Sequence, residues 1–162
     1  LVDNSGGSSN CYAINCDFLA PNSVSDTQIL QNQGVTRFTS CVITGGIGAV
    51  SCNGGTMEFQ QSLMEYDDPD HHNNVIDVTV GLVYCQGTRV QNVDRRGNGV
   101  RLSAGAGLVM NNSVFNVGPL GYCVQGDPGS DYFYGQVTYS NSQNVQNTIT
   151  TTAIAQAFVL VP

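Results

Sequence analysis

The sequence predicts an all-β chain: an antiparallel β-sandwich, or a barrel, of about eight or nine short strands with little helix. Three observations carry this. Short runs of alternating apolar and polar residues recur roughly every 8–15 residues, separated by Gly- and Asn-rich turn signals. Six cysteines, an even number, stand at 11, 16, 41, 52, 85 and 123 without any C-x-x-C spacing, which suits a disulfide-stapled fold. Only one stretch reads as a helix, and its apolar face is meagre.

Residues 1–10, rich in Gly and Ser, read as a flexible arm, and 11–162 as a single β-sandwich domain. Cys11 to Pro21 alternates loosely through Tyr12, Ile14 and Phe18 as a short strand. Ser23–Gln33, with Ser25 as a cap, is the helix candidate. Val35–Ile43 reads as a strand, followed by a second near Ala49–Cys52 and a third over Thr56–Glu65 with Met57, Phe59 and Leu63 near one face. Asn53-Gly54-Gly55 marks a turn.

Glu65–Cys85 stands at the centre of this reading. Its second half, Val75–Tyr84, has the clearest period of two in the chain, with Ile76, Val78, Val80, Leu82 and Tyr84 on one face. It is expected to be a central strand. Asn98-Gly99 then suggests a hairpin between Gln86–Val93 and Gly99–Ala104. Leu108–Val117 is interrupted at Asn111-Asn112-Ser113, and 126–131 forms another turn. Tyr132–Ser140 and Thr148–Val161 complete the strands. A parallel β-helix is the rival architecture, disfavoured because no fixed repeat period is evident.

The cysteines are expected to pair between nearest neighbours, as Cys11–Cys16, Cys41–Cys52 and Cys85–Cys123, each bridge contributing about 2–4 kcal/mol.

Composition narrows the function. Only 10% of residues are charged, against about 25% in ordinary soluble domains. The net charge of −7 argues against a nucleic-acid partner, which needs a dense positive footprint. No apolar run is long enough to span a bilayer. With no leader at its start, the chain reads as a mature, secreted product. All five basic residues are arginines, so Schiff-base and phosphate-loop lysine chemistry are absent.

Site chemistry is sparse. Asp67, Asp68 and Asp70 with His71 or His72 offer a weak metal site, though without the spaced-oxygen register of a calcium loop. The two histidines are neighbours, only Glu58 and Glu65 are glutamates, and no nucleophile stands in a recognisable setting, so no catalytic residue and no cofactor is expected. Arg89, Arg95, Arg96 and Arg101 form a basic ridge that could meet the acidic loop at 65–70 of another copy. The apolar end of the last strand, with Phe158 and Leu160, is a second candidate for self-association. Tyr132, Tyr134 and Tyr139 could stack on sugar rings. Asn111-Asn112-Ser113 matches a glycosylation sequon.

The expectation is therefore a non-enzymatic extracellular structural protein, a self-assembling subunit of a filament or surface assembly whose partners are copies of itself. The alternative is a secreted binding module for glycans or a host molecule.

Overall fold

The corners of the chain set its course. The structure, a computed structural model, describes residues 2–4, 10–19, 29–31, 34–45, 48–66, 73–139, 144–146 and 148–154. Within them, positive φ angles recur at two places. One series is Gly34, Gly55, Gly81, Gly105 and Gly129; the other is Asn15, Ser40, Gln61, Gly87 and Asn112. Residues in this left-handed region turn the backbone sharply, which is why Gly and Asn are frequent there.

Between these corners run short strands, three to a coil. The first coil holds β1 (Val2–Asn4), β2 (Asn10–Ile14) and β3 (Asp17–Leu19); the second β4 (Ile29–Gln31), β5 (Val35–Thr39) and β6 (Val42–Gly45). The third holds β7 (Val50–Cys52), β8 (Thr56–Gln60) and β9 (Leu63–Tyr66); the fourth β10 (Ile76–Val78), β11 (Leu82–Gln86) and β12 (Arg89–Asn92). The fifth holds β13 (Val100–Leu102), β14 (Gly107–Asn111) and β15 (Ser113–Asn116); the sixth β16 (Val124–Gly126), β17 (Asp131–Tyr134) and β18 (Val137–Thr138). A seventh begins with β19 (Thr150–Ala153).

Each strand pairs in parallel with its counterpart one coil on. This gives sheet A in the order β1-β4-β7-β10-β13-β16, sheet B in the order β2-β5-β8-β11-β14-β17-β19, and sheet C in the order β3-β6-β9-β12-β15-β18. The protein is a three-sided parallel β-solenoid, and among the described residues it contains no helix. The antiparallel sandwich or barrel is thus wrong. Antiparallel neighbours would need hairpins, and here every chain reversal is replaced by a corner into the next sheet. The proposed hairpin around Asn98-Gly99 shows the difference. β12 and β13, on its two sides, lie in sheets C and A and do not pair.

The core is built from side chains stacked in register. Sheet B sends in Thr36, Met57, Val83, Leu108 and Tyr132 as one column, and Phe38, Phe59, Cys85, Met110 and Tyr134 as another. Sheet A contributes Val50, Ile76, Val100 and Val124; sheet C contributes Phe18, Ile43, Met64, Val90 and Phe115. Phe38 and Phe59 stack with ring centroids 5.2 Å apart, and Phe18 meets Phe38 edge-on at 5.8 Å. Like side chains one strand spacing apart favour such contacts.

Polar groups at the corner between sheets B and C are satisfied in the same stacked fashion. Cys16, Cys41, Ser62, Thr88 and Ser113 occupy one position in successive coils, where each backbone carbonyl accepts the N–H that follows its neighbour: Val42 N to Cys16 O, Leu63 N to Cys41 O, Arg89 N to Ser62 O. Ser62 Oγ donates to Gln60 O at 2.9 Å and Ser113 Oγ to Asn111 O at 2.8 Å. Ser62 Oγ and Ser113 Oγ in turn accept Cys41 N and Thr88 N, both at 3.2 Å. Buried hydroxyls are thereby paired within the fold.

All six cysteines are free thiols, so none of the expected disulfides is present. The solenoid separates the partners. Cys85 lies in the fourth coil and Cys123 just ahead of β16 in the sixth. Two strand spacings put them about 9.6 Å apart along the axis, beyond the Cα separation of about 7 Å that a bridge tolerates. Cys41 sits at a corner and Cys52 in sheet A, on different walls. Cys11 faces inward beside Thr36, and Cys16 takes its place in the corner column. Burial pushes the Cys41, Cys52 and Cys85 thiols upward in pKa, as expected of unreactive core thiols.

Other elements differ locally. Val75–Tyr84 is not one strand. Its two halves, β10 and the start of β11, lie in different sheets on either side of the corner at Thr79–Gly81, which leaves Val80 56% exposed. In the first coil the larger apolar residues Tyr12 and Ile14 point outward, while Ala13 and Phe18 pack toward the core. Val2–Asn4, within the expected arm, pairs with β4. The helix expected over 23–33 lies mostly outside the described residues; Ile29–Gln31 within it is strand.

Candidate functional surfaces

A solenoid of this kind offers three flat outer faces, its corners and its two ends, and the sequence-derived candidates distribute over these. On the outer face of sheet A, Ser51, Asp77, Arg101 and Gln125 form one register column. Arg101 Nη2 pairs with Asp127 Oδ1 at 2.8 Å, which removes this arginine from the expected basic ridge. Asn74 Nδ2 donates to Asp77 Oδ1 at 2.8 Å. Asn98 Nδ2 donates to both Asn74 Oδ1 and Gln125 Oε1 at 2.8 Å, while its Oδ1 accepts Tyr122 N at 2.9 Å. Every amide of this ladder has a partner, so the face reads as a polar brace between coils.

Burial raises the Asp77 carboxyl above the ordinary aspartate value of 3.8, against the opposing hydrogen bond from Asn74 and the charge of Arg101. A carboxyl that holds its proton more tightly when folded loses stability on ionising. The contribution is therefore neutral below the unfolded value and becomes a cost as pH rises through the raised folded value. Asp77→Asn is expected to match the native protein in thermal midpoint near pH 3.5 and to exceed it at neutral pH. An equal midpoint at both would contradict this assignment.

On the outer face of sheet B, the central column runs Tyr12, Arg37, Glu58, Tyr84, Val109 and Phe133. Arg37 forms an ion pair with Glu58 in the adjacent strand, and its guanidinium lies 5.5 Å from the Tyr12 ring centroid. Sequence reasoning passed over this trio. Its signal was present as two alternating runs, Tyr12-Ala13 and Arg37-Phe38, that become neighbours only in a parallel register.

On the outer face of sheet C, Glu65, Gln91 and Asn116 form an amide–carboxylate ladder, with Gln91 Nε2 2.6 Å from Glu65 Oε1 and Asn116 Nδ2 3.3 Å from Gln91 Oε1. Beside it stand Val42, Leu63, Arg89 and Val114 in register. An open groove of about 320 Å³ lies where this face meets the corner, lined by Ser40, Gln61, Ser62, Leu63, Gly87 and Arg89 among others.

Arg95 and Arg96 are exposed at the next corner, between sheets C and A. Asp67, Asp68, Asp70, His71 and His72 lie outside the described residues. Their flanks are placed, however: Val93 N donates to Tyr66 O at 3.1 Å, and Asn92 Nδ2 to Asn73 O at 2.9 Å. Among the described residues, no three His, Cys, Asp or Glu side chains are grouped as metal ligands. Phe158 and Leu160 also lie outside the described residues.

The tyrosine cluster is not a surface platform. Tyr132 is fully buried, and its hydroxyl is 3.0 Å from that of Tyr139. Tyr139 in turn stacks on Phe115. The sequon is closed as well. Asn111 is 3% exposed, its Oδ1 accepts the Asn112 and Gln136 N–H groups at 3.1 Å, and its Nδ2 is buried. Gly135 makes this possible, since a Cβ there would collide with the Asn111 side chain. A glycan cannot be joined to that nitrogen in the folded protein.

The first coil forms the remaining surface. β2 and β3 are the outermost strands of sheets B and C, and Tyr12, Ile14 and Leu19 on them are 57%, 65% and 61% exposed. No helix among the described residues is long and apolar enough to cross a membrane. The chain matches no protein family, no curated protein and no solved structure.

Proposed function

We propose that this chain is a structural β-solenoid module of an extracellular assembly, and that it associates with copies of itself through the end formed by the first coil. The observation that carries this reading is the exposure of Tyr12, Ile14 and Leu19 on the outermost strands of two sheets. In a solenoid each coil buries its apolar side chains against the next, so a coil with one side left uncovered must be capped or must meet a partner. An outermost strand also presents backbone donors and acceptors on its free edge, and no described strand occupies the outer edge of β2 or β3. A second copy seated there continues the stacking that already builds the molecule. A repeated contact of this kind closes on itself or extends into a fibre, according to its symmetry. The low charge of 10%, which limits repulsion between copies, supports the same reading.

Light scattering across a concentration series tests it. The native protein is expected to form dimers or larger species as concentration rises. Ile14→Lys, which places a charge on the outward side of the outermost strand without touching the core, is expected to hold the protein monomeric with its thermal midpoint unchanged. A native protein that stays monomeric at high concentration would refute the reading.

A further inference from the structure

We propose that the outer face of the fourth coil binds a linear acidic polysaccharide, one bearing carboxylate or sulfate groups. This is independent of self-association, because it uses a side of the solenoid rather than its end.

The inference begins with where positive charge is left over. Five arginines face twelve acids, and two of the five are committed to ion pairs, Arg37 with Glu58 and Arg101 with Asp127. The other three, Arg89, Arg95 and Arg96, are exposed and form no ion pair among the described residues. All three lie on one coil. Along β12 and past its end, exposure alternates: Val90, Asn92 and Asp94 are buried, while Arg89, Gln91, Val93 and Arg95 face outward. The outward row therefore runs from the corner at Arg89 to the corner at Arg95 and Arg96, a reach of at most about 25 Å for extended backbone. Scattered surface charges carry no such order.

A second observation meets the first at Arg89. The groove of about 320 Å³ opens beside this guanidinium, and its lining combines an apolar wall from Val42 and Leu63 with hydrogen-bonding Ser40 and Gln61. That volume is at the small end of the range for ligand sites. A pyranose ring has an apolar face and a rim of hydroxyls, which suits such a lining. Its carboxylate or sulfate would take the planar fork of Arg89. Gln91, Val93 and the arginines beyond then carry a chain that leaves the groove along the face. A chain of anionic sugars fits better than a nucleic acid. Only three cations are presented, and the protein as a whole carries a charge of −7.

Isothermal titration with a heparin-derived hexasaccharide and a galacturonate hexamer, at low ionic strength, tests the proposal. Cellohexaose serves as the uncharged control and a short DNA duplex as the generic polyanion. At least one acidic glycan is expected to bind, with affinity falling steeply as salt is added. Arg89→Ala and the double variant Arg95→Ala/Arg96→Ala are each expected to weaken it about tenfold or more, the worth of a charge-assisted contact. Unchanged thermal midpoints would show that these exposed substitutions leave the fold intact. The proposal is overturned if neither acidic glycan binds, if both variants bind like the native protein, or if cellohexaose or the DNA duplex binds as tightly.

Discussion

Phe59→Ala is expected to lower the unfolding free energy by about 3–5 kcal/mol, the range for truncating a buried aromatic side chain. Phe59 is fully buried in the third coil, between Phe38 of the second and Cys85 of the fourth. Removing it withdraws transfer free energy and leaves a void. It also strips the stacked partner from Phe38, so the Phe18–Phe38–Phe59 cluster of rings loses one of its three members. Stacked coils are close-packed through backbone ladders that cannot shift sideways, so little of the cavity can collapse. Because each coil is buried chiefly by its two neighbours, the break falls in the middle of the solenoid. Chemical denaturation should show a lower midpoint. A loss under about 1 kcal/mol would mean that Phe59 does not occupy an interior column.

The second large effect is expected at a corner. Gly81 and Gly105 occupy the same corner of successive coils, with φ angles of +106° and +80°. Their surroundings differ. A Cβ at Gly81 would stand 2.5 Å from Gly55 O and 3.1 Å from Gly54 C, both backbone atoms of the coil before, while a Cβ at Gly105 would meet nothing within 4 Å. Gly105→Ala thus carries only the conformational penalty of the left-handed region, about 1–2 kcal/mol. Gly81→Ala adds a collision that only a displacement of one coil from the next can relieve, and is expected to cost about 3 kcal/mol or more. Thermal unfolding of the pair should separate them clearly. Equal costs would mean that the two corners do not stack as described.

These corners also explain what could and could not be read from the sequence. The strands were visible as short alternating runs, and the turns at Asn53–Gly55, Asn112 and 126–131 fall where Gly, Asn and Asp cluster. The period was not visible because coil lengths vary. The glycine corner recurs after 21, 26, 24 and 24 residues, and the second corner is occupied by Asn, Ser, Gln, Gly and Asn in turn. No single interval runs through the described coils, and the second corner keeps no fixed residue identity. What repeats is a pattern of inward positions that changes parity at each left-handed residue: Met57, Phe59, then Ser62, Met64, Tyr66; Val83, Cys85, then Thr88, Val90, Asn92; Leu108, Met110, then Ser113, Phe115, Val117. A reading that carries one alternation through Gln61 puts Leu63 in the core, where Met64 belongs. The same error made Val75–Tyr84 a single strand and merged Val35–Thr39 with Val42–Gly45.

The surface was hard to read for the same reason. Arg101 and Arg95 are six residues apart in sequence but lie on different sides of the solenoid, the first braced against Asp127 and the second exposed. Tyr132 and Tyr139 looked like a platform because they are close in sequence, yet both contribute to the interior. Arg89 stood out in the sequence only as part of a basic run; the groove beside it is made by Ser40, Gln61 and Gly87, which only the stacking of three coils brings together.

The parallel stacking itself is most directly tested by distances along one register column. Asn10, Asp131 and Thr150 are exposed members of the column that runs through β2, β5, β8, β11, β14, β17 and β19. Spin labels attached through a non-natural amino acid at these positions leave the six native cysteines untouched. Asn10 to Asp131 spans five strand spacings, about 24 Å, and Asn10 to Thr150 spans six, about 29 Å. The solenoid predicts that the second distance exceeds the first by about one strand spacing. A Thr150 label found nearer to Asn10 than the Asp131 label, as a folded-back antiparallel sheet would allow, would contradict it.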